Sequence, residues 1–309
     1  MNDRRRVLSI LVAFSCTGFF LWLAMRKVDF AGLGRTLAVA HWVWVIPMVA
    51  IILLDIVVRA ARWRVLLSRA RPAAPLWELA RLEAIGLAVN NVLFMRLGEL
   101  IRGILAGKRL GFSTYAALAG VAVERALDVS ALLTIFVAAS TAAPGFVPAV
   151  VRNAALLILA GAVGALAALA LAEGAVAYNG WIERALRPWP KVHEIVEQLS
   201  LGAAVLRDPI SALQAVVLSL LLWSVDAWLY WAGARALGLG DLMDYPRAVL
   251  TLSWAGASSA IPAAPGAIGT FEAAVSDILV KFGATAEQGL AYALVCHTVS
   301  YLLVTGLGL

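Results

Sequence analysis

Ile261-Pro262-Ala263-Ala264-Pro265-Gly266-Ala267-Ile268-Gly269 puts two prolines and two glycines into nine residues in the middle of an apolar stretch, 247–281. Proline removes a backbone donor and glycine loosens a helix, so this stretch does not cross a bilayer as one straight rod. A second apolar stretch, 79–107, is interrupted by Asn90-Asn91 and by Arg96-Leu97-Gly98-Glu99. Both read as re-entrant helix pairs, which enter the membrane and turn back. Six uninterrupted apolar runs surround them, near 7–25, 42–58, 115–139, 150–172, 210–233 and 287–309. Each is close to the roughly 20 residues that span a bilayer. The expected fold is an all-α polytopic membrane protein, with about six full transmembrane helices plus the two re-entrant pairs. Residues 1–309 read as a single transmembrane domain.

Composition agrees. Of 309 residues, 62% are hydrophobic and 14% charged, with a mean hydropathy of +0.89. A soluble domain is nearer half apolar and a quarter charged, so a soluble enzyme and a disordered chain are both excluded. The net charge of +6 suits an anionic membrane surface. No basic run is interleaved with aromatics outside the apolar segments, which sets nucleic acid aside. Cys16 and Cys296 fall in apolar stretches and read as small buried hydrophobes, neither a disulfide framework nor a metal site. Arg4-Arg5-Arg6 followed by uncharged Val7–Met25 is too long for a signal peptide and ends without a cleavage site, so it reads as an uncleaved first helix.

Basic residues set the orientation. With a cytoplasmic N-terminus, fourteen lie inside: Arg4 to Arg6, Arg59, Arg62, Arg64, Arg69, Arg71, Lys108, Arg109, Arg184, Arg187, Lys191 and Arg207. Seven lie outside: Arg26, Lys27, Arg35, Arg152, Arg235, Arg247 and Lys281. This bias requires 79–107 to enter from the cytoplasm and 247–281 from the other side, each returning; the C-terminus is then cytoplasmic too. Oppositely oriented interruptions, one per half, are the pattern of an inverted-repeat transporter with a midplane site. The halves share no obvious sequence identity, so the repeat is read from hydropathy. Residues 179–208 alternate apolar and charged positions, as in an amphipathic helix on the cytoplasmic leaflet, broken near Pro188 and Pro190.

A charge at membrane depth costs on the order of 3 kcal/mol, so each one needs a partner, water or a role. Arg96, Glu99 and Arg102 are spaced to share a helix face. Glu124, Arg125 and Asp128 follow in the next span, with Glu124 and Asp128 one turn apart. Asp226 sits mid-span, Glu272 opens the half-helix after the Pro/Gly break, and His297 lies in the last span. Two readings of the first cluster stand. Arg96, Arg102 and Arg125 could close an ion-pair network with Glu99, Glu124 and Asp128 that fixes the fold. Alternatively, the six line a water-filled cavity that binds a lipid headgroup, because the guanidinium fork matches phosphate. No nucleophile stands beside a base and no metal ligands converge, so no catalytic residue, metal or cofactor is assigned.

Gly266 and Gly269 permit close backbone approach after Pro265, and Thr270 is placed to cap a helix starting at Phe271. Its free N–H groups suit an anion. Glu272 either fills that positive end, reaches an arginine of the first interrupted stretch, or titrates as a coupling group. Asn90, Asn91, Pro265, Gly266, Gly269, Glu272 and His297 are therefore the gating or coupling candidates. Trp42, Trp44, Trp63, Trp181, Trp189, Trp223, Trp228 and Trp231 read as an aromatic belt, Gly161-x-x-Gly164 as a close helix contact, and His41 and His193 as solvated.

Four elements occur in a telling order: Arg62-Trp63-Arg64-Val65-Leu66-Leu67, Arg96-Leu97-Gly98-Glu99-Leu100-Ile101-Arg102, Glu124-Arg125-Ala126-Leu127-Asp128, and Pro265-Gly266-Ala267-Ile268-Gly269-Thr270-Phe271-Glu272. Together they resemble the flippase-like transmembrane domain of bacterial lysylphosphatidylglycerol synthases and its stand-alone relatives, over nearly the whole chain. Ala267 stands where that family more often has a second glycine. The resemblance implies a helical fold with re-entrant segments in the bacterial cytoplasmic (inner) membrane, associated with moving a lipid between leaflets. In bifunctional relatives a separate cytosolic domain aminoacylates phosphatidylglycerol. This chain is expected to lack it, and the synthase activity is not carried over. Other relatives are linked with hopanoid or isoprenoid lipids.

The expected function is a flippase-like lipid translocase for an anionic or aminoacylated phospholipid or a related lipid. Arg102→Ala is expected to abolish transport without unfolding the protein. A membrane-embedded transferase, or a partner subunit of a lipid-synthesis enzyme acting on lipids or polyprenyl-phosphate-linked glycolipids, is the alternative. Expected partners are a membrane lipid, a lipid-synthesis enzyme and a second copy of the chain.

Overall fold

Eleven α-helices occupy the described residues of the computed structural model: 3–69, 73–93, 97–178, 188–189, 204–259, 261 and 265–309, with side chains described from residue 14 except at 169 and 171–178. They are α1 (Asp3–Met25), α2 (Phe30–Ala38), α3 (Val45–Leu66), α4 (Leu76–Val92), α5 (Gly98–Leu110), α6 (Thr114–Ala142), α7 (Ala149–Tyr178), α8 (Pro209–Ala236), α9 (Tyr245–Ser258), α10 (Thr270–Lys281) and α11 (Ala286–Gly308). The six apolar runs are α1, α3, α6, α7, α8 and α11; the two interrupted stretches are the pairs α4/α5 and α9/α10. Four stretches are long and apolar enough to cross a membrane: Trp42–Leu66, Ala149–Ala168, Pro209–Ala236 and Ala286–Gly308. The protein is a multi-pass, all-α membrane protein. Arg96, His193 and nearly all of the expected amphipathic segment 179–208 lie outside the described residues.

Helix ends follow local chemistry. Asp29, Asp208 and Asp244 cap α2, α8 and α9 by accepting backbone N–H groups, with proline in the first turn of the latter two. The two Ser211 hydrogen bonds hold the Asp208 carboxyl below its ordinary range. α5 stops at Gly111, whose φ of 69° is the left-handed turn glycine allows.

α3 and α8 form the spine, and they run in opposite directions. Trp44 meets Trp231 with ring centroids 5.5 Å apart, Arg59 lies over Trp223 at 5.8 Å, and Arg62 reaches Ser219 at 3.2 Å. As the number climbs along α3, it falls along α8. Neighbours recur in the two halves: α3–α4, α4–α5 and α5–α6 in the first, α8–α9, α9–α10 and α10–α11 in the second. Across the halves, α4 packs on α11 as α9 packs on α6, and α2 packs on α11 as α7 packs on α6. This is an inverted arrangement of two like halves. Its landmarks recur 171 or 172 residues apart: Arg64 and Arg235, Pro75 and Pro246, Gly111 and Gly283, Ser113 and Thr285. Each half has an apolar core, one around Trp63, Leu79 and Leu82, the other around Leu250, Ile278 and Tyr292.

Three expectations change. α3 runs two turns past residue 58, carrying Arg59 and Arg62 inside it, because hydropathy charges each guanidinium its full cost while the fold pairs it. Arg59 Nε donates to Asp55 Oδ2 at 2.7 Å, and both arginines are buried, so neither belongs among the loop charges that orient the chain. Trp63 is fully buried rather than in an interfacial belt, and half-buried Trp223 is tied to Asp128. Finally, among the described residues no atom lies within 4 Å of a side chain added at Gly161 or Gly164, so that motif makes no close helix contact there.

Candidate functional site

The first hairpin owes its tightness to glycine. A Cβ on Gly98 would collide with the Gly86 carbonyl and lie 2.7 Å from Asn90 Oδ1. With hydrogens only, α4 and α5 close up, and Asn90 Oδ1 accepts the Gly98 N–H at 2.8 Å, capping α5. That approach carries Arg102 of α5 onto Glu83 of α4.

Arg102 is the hub of one end of a buried network. Besides Glu83 it pairs with Glu124 of α6 at 3.0 Å, and its guanidinium lies 4.4 Å from the Trp63 ring centroid, a cation–π contact. Arg62, from α3, pairs with Glu124 at 3.1 Å and with Asp128. Glu124 and Asp128 face the same way one turn apart, as their spacing predicts, and both also hold Arg125, at 2.6 and 2.9 Å. Arg125 completes the chain to Glu99 at 3.3 Å. Trp223 Nε1 donates to Asp128 at 3.0 Å. Arg62, Arg102, Glu83, Glu124 and Asp128 are buried. The rim is Arg125, with 38% of its side chain exposed, and Glu99, with 25%. Three guanidinium groups thus meet four carboxylates in a bundle of apolar helices. A charge pair sealed this way is held together mainly because separating it leaves a naked ion.

Arg102 therefore does not face an open cavity in this conformation; its forks are spent on two carboxylates. Arg62 and Glu83 are the members that sequence reading missed. Arg62 was hidden by the hydropathy boundary at residue 58, while Glu83 carries a usable signal: Glu83, Gly86 and Asn90 lie along one face of α4.

The second break is built around positive φ. Gly266 has φ 71° and Gly269 has φ 91°, and a Cβ on Gly266 would sit 2.5 Å from the Tyr301 ring and 3.4 Å from the Asn91 carbonyl. The Tyr301 hydroxyl itself donates to that Asn91 carbonyl at 3.3 Å, and Asn91 Nδ2 donates to Thr305 at 3.0 Å. The tips of the two hairpins thus meet at α11. Beyond the turn, Glu272 Oε2 accepts the Gly269 N–H at 2.6 Å and Oε1 meets His297 Nδ1 at 2.6 Å. Glu272 fills the positive end of α10 and pairs with His297; among the described residues it reaches no arginine of the first hairpin. The helix begins at Thr270, with Gly269 rather than Thr270 at the cap position, because Thr270 turns its hydroxyl back to the Ala267 carbonyl.

Ala267 adopts φ 56°, a conformation that disfavours an L-residue. Ala267→Gly should stabilise the protein by about 0.5–1 kcal/mol, the relief of that strain less the entropy of a freer unfolded glycine. Unfolding midpoints in detergent will check this, and a fall in stability would contradict it.

A recess of about 740 Å³ opens between the end of α3 and the start of α8. Arg64, Ser211 and Gln214 supply polar groups, and Val65, Leu213 and Val217 an apolar wall. Its α3 wall includes Ala61, Arg64 and Val65, on the helix that also carries Arg62.

The sequence profile of the lysylphosphatidylglycerol synthase TM region matches residues 6–308. A UPF0104 membrane protein of Methanothermobacter thermautotrophicus is 22% identical over 326 aligned positions, which cover 97% of this chain and 90% of that protein. No solved structure matches. With its helical membrane fold, its interrupted hairpins and a profile match along nearly its whole length, the chain belongs to the family of the lysylphosphatidylglycerol synthase transmembrane region, a membrane family with a lipid-related role.

Proposed function

We propose that the protein is a lipid translocase rather than an enzyme, moving a phospholipid with an anionic or aminoacylated headgroup, or a related lipid, across the bacterial inner membrane. The observation that carries this reading is the buried network and the accessible edge it has among the described residues, Arg125 and Glu99. At that rim a guanidinium and a carboxylate stand side by side within reach of solvent, next to the buried charges. An aminoacylated headgroup offers the matching pair, phosphate for Arg125 and ammonium for Glu99. The recess beside α3 suits a lipid in the same way, with polar groups at Arg64, Ser211 and Gln214 and an apolar wall for acyl chains.

In this reading the α4/α5 and α9/α10 hairpins are re-entrant. They alternate in opening the space between them, their contact at Tyr301 being the closed position. The headgroup exchanges with Glu124 and Asp128 for the arginines while the tails stay in lipid. Arg102→Ala is a poor test, since it strands Glu83 and Glu124 in the interior. Arg125→Ala is the sharper one.

Headgroup-labelled lipids should be followed across proteoliposome membranes with anionic, zwitterionic and aminoacylated species in parallel. Wild-type protein should move one headgroup class preferentially. Arg125→Ala should slow it at least tenfold, the loss of one charge-assisted hydrogen bond of about 1.5–3 kcal/mol, in protein that remains folded. No movement of any lipid by folded wild-type protein would refute the translocase; unimpaired Arg125→Ala would refute the site.

A further inference from the structure

The charges of the network do not account for Asp226. It lies in the middle of α8, partly accessible, and among the described residues it makes neither an ion pair nor a hydrogen bond. The register of the spine says what faces it. Met48 is close to Gly233, Arg59 lies over Trp223 and Arg62 reaches Ser219, so the same antiparallel register sets Asp55 of α3 opposite Asp226. The two aspartates are also equivalent positions of the inverted halves, 171 residues apart like Arg64 and Arg235. An inverted repeat brings equivalent residues face to face only where its pseudo-two-fold axis passes. Asp55 and Asp226 mark that axis.

Asp55 is buried, and its Oδ2 accepts from Arg59 at 2.7 Å. Its other oxygen, Oδ1, is sealed from solvent without a hydrogen-bond partner. A buried acceptor without a donor is costly, and two carboxylates side by side resist joint ionisation. One proton removes both difficulties.

We infer that Asp55 and Asp226 form a proton-binding site, a carboxylic acid–carboxylate pair at the crossing of α3 and α8. The other groups facing it leave that assignment in place. Among the described residues Arg59 is the one cation in reach and is already held by Asp55; Asp128 of α6 adds a further negative charge. Tyr230 on α8, Tyr245 of α9, and Tyr292 and Cys296 of α11 are neutral neighbours. The Tyr245 and Tyr292 hydroxyls donate to the carbonyls of Ser224 and Tyr230. The 3-10 turns packed at the ends of α8 add Arg207 at one end and Asp241 at the other, both remote from its middle. Because both helices of the spine carry half of the site, gain or loss of the proton changes the attraction across the axis. The two halves must rock about that axis if the proposed translocase alternates, so the proton is the coupling ion. This last step rests on the translocase reading; the proton site itself does not.

The two are tested separately. Infrared difference spectra of the purified full-length protein in lipid nanodiscs, recorded across neutral pH, should contain one protonated-carboxyl band that shifts in heavy water. The band should vanish in Asp226→Asn and persist, displaced, in Asp226→Glu; Asp277→Asn, at an exposed ion pair with Lys281, should leave it untouched. A wild-type spectrum without the band, or a band that survives Asp226→Asn, overturns the site. In proteoliposomes a pH gradient should speed lipid movement by wild-type protein and have no effect on Asp226→Asn. A gradient without effect on wild-type transport, with the infrared band present, overturns the coupling role alone.

Discussion

Glu124→Gln should lower the stability of the protein by about 3–5 kcal/mol, the usual cost of removing one partner from a buried ionic cluster. Glu124 is fully buried and, among the described residues, is the only group that meets all three guanidinium groups of the network, Arg62, Arg102 and Arg125. Glutamine keeps the size and one acceptor oxygen but takes away the charge and places an N–H₂ donor against donors. Arg102 would keep Glu83, Arg125 would keep Glu99 and Asp128, and Arg62 would keep Asp128 and Ser219, so each of the two buried guanidinium groups loses one of its two carboxylates, and neither has the exposed surface to hydrate instead. Glu99→Gln at the half-open rim is the matched control, with an expected loss of less than about 1 kcal/mol. Unfolding by denaturant in detergent micelles, read by tryptophan fluorescence, separates the two. Equal effects would mean that the network is hydrated in solution and not sealed.

Gly98→Ala should be nearly as damaging, through shape rather than charge. One methyl group there meets the Gly86 backbone carbonyl, and a backbone atom cannot swing aside as a side chain can. α4 and α5 must separate, which costs about 3 kcal/mol at the upper end of overpacking effects. It also breaks the Asn90 cap and lengthens the Glu83–Arg102 pair. Crosslinking between cysteines placed at Glu78 and Arg109, which pair at 3.1 Å at the far end of the hairpin, should fall in Gly98→Ala. Retained crosslinking with unchanged stability would mean that the hairpin tip absorbs the methyl group.

The long helices and both breaks were legible because apolar length and Pro/Gly punctuation are local signals. Glu124 and Asp128 were legible as a pair for the same reason, since a one-turn spacing is enough to put them on one face. Arg62 and Glu83 were not, because their partners are 66 and 19 residues away and hydropathy treats a charge as a boundary. The inverted repeat was visible only as two interruptions. Most positions in either half face lipid or the apolar core, where Leu, Val, Ile and Ala exchange with little penalty. Much of what recurs sits where geometry allows few substitutes: the left-handed turns at Gly111 and Gly283, the helix-start positions Ser113 and Thr285, and the axial aspartates.

The cross-half pairing of the spine has a consequence for biosynthesis. A ribosome that has made α1 to α6 has delivered Arg62, Glu83, Arg102, Glu124 and Asp128 to the membrane, but not Ser219 and Trp223, the α8 groups that bind Arg62 and Asp128. Nor has it made Thr305, which anchors Asn91. The nascent first half must therefore wait beside the insertion machinery with a charged flank uncovered, for roughly a hundred residues of further synthesis at about 5–20 residues per second. A chain halted before α8 should remain bound to that machinery or be degraded, and the final turn of α11 is what closes the product.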